Sequence, residues 1–241
     1  MTTSNAITAI LFDFGGVITE SPFEAFNTFE VEHGLPTNFI RDLNSSNHNV
    51  NAWAQLERGE ISPDEFDELF RHEANRKGYD IGGLEILKLV FTPLRPDMIS
   101  LVQRCKVQYQ VACLTNNFPR TPTLVKLIGA KRLDDWQAVL SDFPNVIESA
   151  KIGYRKPERR FFQTACDVLG VRPEDAVFLD DIGSNLKPEA AAHSIKKAID
   201  KNKRFHVMPW QMRIVAYFLR VLPRVVYDQL LKRAPRKPRS I

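Results

Sequence analysis

The stretch that decides the fold is Ala9-Ile10-Leu11-Phe12-Asp13-Phe14-Gly15-Gly16-Val17. Its first four residues are apolar, as expected for a parallel strand that is buried on both faces. Asp13 follows directly, at the carboxyl end of the strand, where open α/β sheets bind their ligands. Gly15 and Gly16 allow positive φ and a close approach of backbone N–H groups to an anion. Alone, the stretch also fits a strand that ends in a plain polar turn.

Three later apolar segments also have the properties of strands. With the first one they are Ile7–Phe12, Gln110–Leu114, Asn145–Glu148 and Ala176–Leu179. Helical patterns at Thr121–Ile128 and Glu158–Leu169 separate the later strands. This alternation predicts an α/β fold with a doubly wound, Rossmann-like parallel sheet. The polar residues that follow the strands should therefore meet at one edge of that sheet.

A long interval, residues 19–104, separates the first two strands and is mostly helical in pattern. The predicted helices are Glu24–His33, Phe39–Leu43, Val50–Arg58, Pro63–Arg76 and Leu84–Val90. The interval is too long for a simple crossover and predicts an inserted cap that excludes water and selects the substrate. The alternative is an ordinary helical decoration of the sheet. The predicted division is an α/β core at 1–18 and 105–208, a helical cap at 19–104, and a tail at 209–241.

Composition indicates a folded protein, with 44% hydrophobic and 26% charged residues among 241. The three cysteines have no metal-type spacing, and Cys113 lies in an apolar segment, which predicts a buried thiol. The sparse cysteines and the lack of a recognisable signal peptide predict a cytoplasmic location. No apolar stretch approaches the roughly 20 residues of a membrane-spanning helix.

The positive charge is concentrated in the last part of the chain. Residues 201–241 carry 11 basic side chains and one acidic one, which leaves 22 bases and 28 acids in residues 1–200. The tail helix predicted at Ile214–Leu222 is amphipathic and basic, so residues 210–241 are expected to contact a membrane surface or a partner protein. The alternative is a helix that packs on the domain with a solvated basic end. Nucleic acid is not an expected partner, because no basic–aromatic platform accompanies the charge.

The polar strand ends match the needs of phosphoryl transfer through an aspartyl intermediate. That reaction needs a carboxylate nucleophile, donors for the phosphoryl oxygens, a fixed positive charge and acidic ligands for Mg²⁺. The candidates, in that order, are Asp13, then Thr115 and Asn116, then Lys156, then Asp180 and Asp181. Each motif alone also fits a turn or a solvated side chain. The occurrence of all these residues after successive strands favours a functional site.

Residues 6–188 resemble the haloacid dehalogenase-like (HAD) hydrolase superfamily. The nearest resemblance is to the group with a helical cap that includes the amino-terminal phosphatase domain of soluble epoxide hydrolases. The resemblance rests on residues 12–17, 114–117, 153–158 and 178–188, with the cap phrase Leu56-Glu57-Arg58-Gly59-Glu60-Ile61. It implies that Asp13 is the nucleophile and that Mg²⁺ is held by Asp13, the Gly15 carbonyl and Asp181. It further implies that Asp180 supports the metal, that Thr115 and Asn116 bind the phosphoryl group, and that Asn185 shapes its loop.

One departure from the family pattern lies at Gly15. Phosphatases of the superfamily usually carry a second Asp there, which protonates the leaving group and then activates water. General acid–base catalysis is typically worth about 10²–10⁴-fold. Dehalogenases also lack this Asp but usually lack the Asp180-Asp181 pair too, which disfavours dehalogenation. The prediction is a Mg²⁺-dependent phosphatase of weak or specialised activity on a small phosphorylated metabolite. The alternative is a catalytically degenerate binding protein whose basic tail docks on a membrane or partner.

A second departure begins after Pro188. The last ~50 residues resemble the carboxyl-terminal end of certain short-chain dehydrogenases. Nothing upstream supports that activity, because no G-x-G-x-x-G follows the first strand and Tyr154 has Glu158, not lysine, four residues on. A dehydrogenase active site is therefore not expected on this chain.

Overall fold

The computed structural model describes residues 7–181. The expectations for Asn185, for the core segment 182–208 and for the tail at 209–241 lie outside these residues. Within residues 7–181, no helix is long and apolar enough to cross a membrane.

The core is a parallel sheet of the strands Ala9–Phe12 (β1), Gln110–Thr115 (β2), Asn145–Glu148 (β3) and Ala176–Leu179 (β4), in the order β3-β2-β1-β4. The central strand β1 pairs with both β2 and β4, and Phe12 lies opposite Cys113 on one side and Leu179 on the other. Strands β1 and β4 therefore end at the same height, and β2 continues for two residues beyond them. The predicted α/β fold is confirmed.

Helices cover both faces of this sheet, which is why β1, β4 and the middle of β2 are apolar. Successive strand residues point to opposite faces. Leu11 packs on one face in a cluster with Phe161, whereas Phe12 and Cys113 pack on the other in a cluster with Val102. The Cys113 thiol is buried, as predicted.

The α-helices of the described residues mostly match the predicted ones. They span Phe23–Glu32 (α1), Phe39–Ser45 (α2), Ala52–Glu57 (α3), Pro63–Asn75 (α4), Gly83–Val90 (α5), Pro96–Cys105 (α6), Pro122–Ile128 (α7), Ala130–Ser141 (α8), Ser149–Ile152 (α9) and Arg159–Leu169 (α10). The helices α6, α8 and α9 were not predicted from the sequence. Helix α4 begins as its sequence indicates, with Pro63 in its first turn and a reciprocal capping box between Ser62 and Glu65.

The helical segment between β1 and β2, residues 20–93, leaves and rejoins the core at one narrow junction. Thr19 and Leu94 form an antiparallel bridge, and the Glu20 N–H donates to the Pro93 carbonyl at 2.9 Å. Helix α6, which follows, packs with the sheet, since its Val102 belongs to the cluster around Phe12. The division into core and cap remains a prediction, and this packing favours a boundary near residue 94 over one at 104.

Helices α1–α5 share an apolar cluster rich in aromatic side chains. Phe66 and Phe70 of α4 are fully buried there, and Trp53 of α3 meets Phe66 edge to face at 5.5 Å between ring centroids. Leu124 of α7 belongs to the same cluster. The segment between the first two strands therefore has its own packed interior, which rests on α7.

A buried carboxylate joins α1 to α2. Glu30 is 2% exposed, and its two oxygens accept hydrogen bonds from the backbone N–H groups of Asn38, at 2.8 Å, and Ile40, at 3.0 Å. Asn38 has a left-handed φ of 67° just before α2. Glu30 thus satisfies N–H groups at the start of α2 that have no partner inside the helix.

Candidate active site

Asp13 lies at the carboxyl end of β1 and is held by backbone groups on both sides. Its N–H donates to the Leu179 carbonyl at 2.8 Å, which extends the pairing of β1 with β4 by one residue. Its Oδ1 accepts a hydrogen bond from the Phe14 N–H at 2.7 Å. The carboxylate is buried. Its orientation is therefore fixed by the strand and by the first peptide of the turn.

The turn after Asp13 needs glycine at one position and leaves space at the other. Gly16 has a φ of +71°, and a Cβ built there would lie 1.9 Å from Asp181 Oδ2. The Gly16 N–H donates to Thr19 Oγ1 at 3.2 Å. At Gly15 a Cβ would meet no heavy atom within 4 Å among the described residues. Glycine at 16 thus admits the Asp181 carboxylate, whereas position 15 has room for a side chain.

Lys156 carries its ammonium into the space between two carboxylates. Its Nζ lies 2.6 Å from Asp13 Oδ1 and 3.2 Å from Asp180 Oδ2. The Lys156 side chain is only 1% exposed, and Nζ lies 5.2 Å from the centroid of the Phe178 ring. A buried charge of this kind is stable only when it is paired. Lys156, which was predicted to offset the charge of Asp13, therefore contacts it directly.

Asn116 holds the backbone of Lys156. Its Oδ1 accepts from the Lys156 N–H at 2.8 Å, and its Nδ2 donates to the Lys156 carbonyl at 3.1 Å. The same Nδ2 lies 3.1 Å from Glu57 Oε2. Both polar atoms of the Asn116 side chain thus bond to protein groups.

Thr115 ends β2 next to β1 and is buried. Its hydroxyl donates to the Asn116 carbonyl at a long 3.4 Å. The following Asn117 is tied to the loop after β3, because its N–H donates to Ser149 Oγ at 2.9 Å and its Nδ2 donates to Glu148 Oε1 at 2.7 Å. The loop after Thr115 is therefore anchored at the end of β3.

Asp13, Asp180 and Asp181 form a cluster that fits a divalent cation. One carboxylate oxygen from each lies within 4.8 Å of the others. Ser21 Oγ donates to Asp181 Oδ2 at 3.4 Å and helps to orient it. Oxygen ligands of this type are those that Mg²⁺ prefers. The donor set, together with the space that Gly16 leaves for Asp181, fits the predicted metal.

The pKa values of the cluster reflect burial and like charges. Burial raises the pKa of Asp13 to about 7; Lys156 opposes this shift, and Asp180 adds to it. Burial and then the charge of Asp180 raise the pKa of Asp181 to about 6. Burial lowers the pKa of Lys156, but Asp13 and Asp180 outweigh it and raise that pKa above its usual value. The cluster holds more negative charge than one lysine balances, which favours a bound cation.

Two further residues near this edge were not assigned a role from the sequence. Glu57 of α3 is buried and accepts a bond from Arg155 Nε at 2.5 Å. Arg155 lies next to Lys156 in the chain, and its Nη1 also donates to the His48 carbonyl at 2.8 Å. The sequence signal for such a role was a carboxylate directly after an apolar residue in a predicted helix, at Leu56-Glu57.

A family model described as haloacid dehalogenase-like hydrolase matches residues 7–193. The chain belongs to this family. It is therefore a HAD-like hydrolase, and the family resemblance drawn from its motifs is confirmed. The resemblance of the last ~50 residues to short-chain dehydrogenases remains a prediction.

Curated relatives align with most of this chain. Mouse acyl-CoA dehydrogenase family member 10 is 30% identical over 200 residues, which cover 78% of this chain and 18% of that protein. Mouse bifunctional epoxide hydrolase 2 is 28% identical over 198 residues, or 76% of this chain and 34% of that protein. The chain thus spans about a third or less of these two. Sesquiterpene phosphatase astK of Aspergillus oryzae is 26% identical over 181 residues, or 74% of this chain and 82% of that protein.

Solved structures of similar fold include a HAD family enzyme of Bacteroides thetaiotaomicron in complex with magnesium and inorganic phosphate. It is 21% identical, with a TM-score of 0.48, and the match covers 76% of this chain and 88% of that one. The L-2-haloacid dehalogenase of Xanthobacter autotrophicus is 15% identical, with a TM-score of 0.47, over 79% of this chain and 83% of that one.

Proposed function

We propose that this hydrolase is a Mg²⁺-dependent phosphatase that acts on a small phosphorylated metabolite through an aspartyl-phosphate on Asp13. The observation that carries the proposal is the contact of Lys156 with both Asp13 and Asp180 inside a three-carboxylate cluster. A dianionic phosphate needs positive charge beside its nucleophile, and this arrangement supplies a fixed cation there.

In the first step, a carboxylate oxygen of Asp13 attacks phosphorus. The bond between phosphorus and the ester oxygen breaks, and the leaving alcohol keeps the electron pair and takes a proton from water. Water then attacks the aspartyl-phosphate, which releases phosphate and restores the Asp13 carboxylate. The Phe14 N–H and Lys156 hold this carboxylate in one orientation, which favours in-line attack.

Asp13, Asp180, Asp181 and the Gly15 carbonyl are the groups that we propose to hold Mg²⁺. When bound, the ion would offset the charge of the carboxylates and of the phosphoryl group. The Thr115 hydroxyl and the Asn116 N–H are proposed as donors to the phosphoryl oxygens, since both lie at the end of β2, beside Asp13.

Glycine at position 15 limits the proposed reaction. It can contribute a carbonyl but cannot transfer a proton, so esters with poor leaving groups should react slowly. The known relatives are consistent with phosphatase chemistry, because one of them is named a sesquiterpene phosphatase. A cytoplasmic location and a membrane or protein contact through residues 210–241 remain predictions.

Turnover of p-nitrophenyl phosphate, with Mg²⁺ and with EDTA, tests the proposal. Asp13→Asn should abolish turnover because an amide is a poor nucleophile, and EDTA should do the same to the unaltered protein. Asp175→Asn, in the turn before β4, is the matched control and should keep full activity. Equal turnover by Asp13→Asn and the unaltered protein would favour the alternative, a catalytically degenerate binding protein. The observation that supports this alternative is Gly15, which cannot transfer a proton.

A further inference from the structure

Glu57 lies where the helical segment meets the strand-end loops. It is the last residue of α3, and α3 packs against α9, which follows β3. Gly59, two residues on, has a φ of +70°, and a Cβ there would lie 2.8 Å from the Ala150 carbonyl. The backbone after α3 therefore approaches the core as closely as glycine permits. Glu57 is fixed at this close contact.

Both carboxylate oxygens of Glu57 are used. Oε1 accepts a bond from Trp53 Nε1 at 2.9 Å, one turn earlier in α3. Oε2 accepts bonds from Arg155 Nε and from Asn116 Nδ2, at 2.5 and 3.1 Å. The Glu57 side chain is 10% exposed and that of Arg155 is 14% exposed. A carboxylate with this many donors and so little water orients each of them strongly.

Through Asn116 these bonds reach the proposed reaction centre. Asn116 holds the Lys156 N–H and carbonyl with its amide, and Lys156 places its ammonium on Asp13. The path from Glu57 to Asp13 thus consists of direct contacts between buried or half-buried groups. It runs from the helical segment to the nucleophile.

We propose that Glu57 is a positioning residue that holds Asn116 against the Lys156 backbone and so couples the docking of α3 to the placement of the Lys156 ammonium beside Asp13. The kinetic part of this inference rests on the proposed phosphatase activity. Glu57 touches neither substrate nor metal in this scheme. It acts only when α3 is docked, so the cation beside the nucleophile is fully placed only with the segment closed on the core.

The neighbouring Arg58 provides a matched control. Its Nη1 forms an ion pair with Glu158 of the core at 3.1 Å, and its Nε forms an ion pair with Glu60 at 2.7 Å. Neither partner contacts Asn116 in the described bonds. Arg58→Ala therefore weakens the same interface at the adjacent residue and leaves the path to Lys156 in place.

The kinetic test uses p-nitrophenyl phosphate with saturating Mg²⁺. Glu57→Ala should lower kcat by about tenfold or more with little change in KM, because a small displacement of a catalytic group reduces the rate of the chemical step. Glu57→Gln retains an acceptor for Asn116 and should recover most of the loss. Arg58→Ala should keep kcat within about twofold. Equal losses in Glu57→Ala and Arg58→Ala, or no rescue by Glu57→Gln, would overturn the proposal.

A second measurement does not depend on activity. The Lys156 backbone N–H, followed by NMR, should exchange faster with solvent in Glu57→Ala than in Arg58→Ala, since its acceptor Asn116 is then less restrained. Unchanged exchange in Glu57→Ala would also refute the coupling. If Glu57→Ala does not fold, Glu57→Met, which fills the space without accepting a bond, replaces it in both measurements. Full turnover by Asp13→Asn would contradict only the proposed phosphatase mechanism. The exchange measurement would still test whether Glu57 positions Asn116 against the Lys156 backbone.

Discussion

The Lys156 ammonium contacts the Asp13 carboxylate at 2.6 Å, and both side chains are buried. Lys156→Met should therefore remove the ammonium that contacts Asp13 and Asp180 and lower the free energy of unfolding by about 3–5 kcal/mol. Urea denaturation measures this loss. Lys151→Met is the control, because its ion pair with Glu148 is made by a lysine that is 74% exposed, and such pairs contribute about 0–1 kcal/mol. Similar losses in the two variants would contradict a structural role for the buried pair.

Gly15→Asp should increase turnover of esters with poor leaving groups. The backbone at position 15 is outside the left-handed region, and the space around it is open among the described residues, so the new carboxyl can be accommodated. We expect kcat for an alkyl phosphate to rise by about 10–100-fold. Gly15→Asn has nearly the same shape and cannot supply the proton. An equal gain in both variants would show that the gain does not come from proton transfer by the new carboxyl group.

Gly16→Ala should weaken Mg²⁺ binding. Its Cβ would overlap the Asp181 carboxylate, 1.9 Å from Oδ2, and would displace one of the proposed ligands. We expect the dissociation constant measured by isothermal titration calorimetry to rise by about 10–100-fold. Gly34→Ala introduces the same residue at a similar φ of +63° in open space and should leave Mg²⁺ binding unchanged. Unaltered affinity in Gly16→Ala would remove Asp181 from the metal site.

Glu30→Ala should destabilise the helical segment. The change leaves the N–H groups of Asn38 and Ile40 without their acceptor, and Ile40 is fully buried. An unsatisfied buried group costs about 1–3 kcal/mol, so a total loss of about 2–4 kcal/mol in the free energy of unfolding is expected. Glu32→Ala, on the exposed side of the same helix, should change it by less than about 0.5 kcal/mol. Chemical denaturation compares the two.

The sheet and its site edge could be predicted because their signals are local. Apolar runs mark the four strands, and Asn145–Glu148 and Ala176–Leu179 were predicted with their observed bounds. The carboxylates Asp13 and Asp180 follow two of these strands directly. Since parallel strands end at one edge, their proximity follows from the fold.

The elements that were missed depend on tertiary packing. Helix α8 is preceded by Gly129, which provides no side-chain cap, and only Leu133 among its residues is buried, so its apolar periodicity is weak. The bonds of Glu57 to Asn116 and Arg155 join residues 59 and 98 positions apart. No local pattern specifies such pairs. The same is true of the bonds by which the Asn116 side-chain amide holds the Lys156 backbone.

The bridge between Thr19 and Leu94 makes the helical segment tolerant of change independently of the sheet. Because the ends of residues 20–93 are already joined there, changes of length and sequence inside that segment cost the sheet little. The helical segment can therefore diversify while the part that carries Asp13 stays constant. Glu57 and Gly59, which touch the core directly, are positions where such divergence should be constrained.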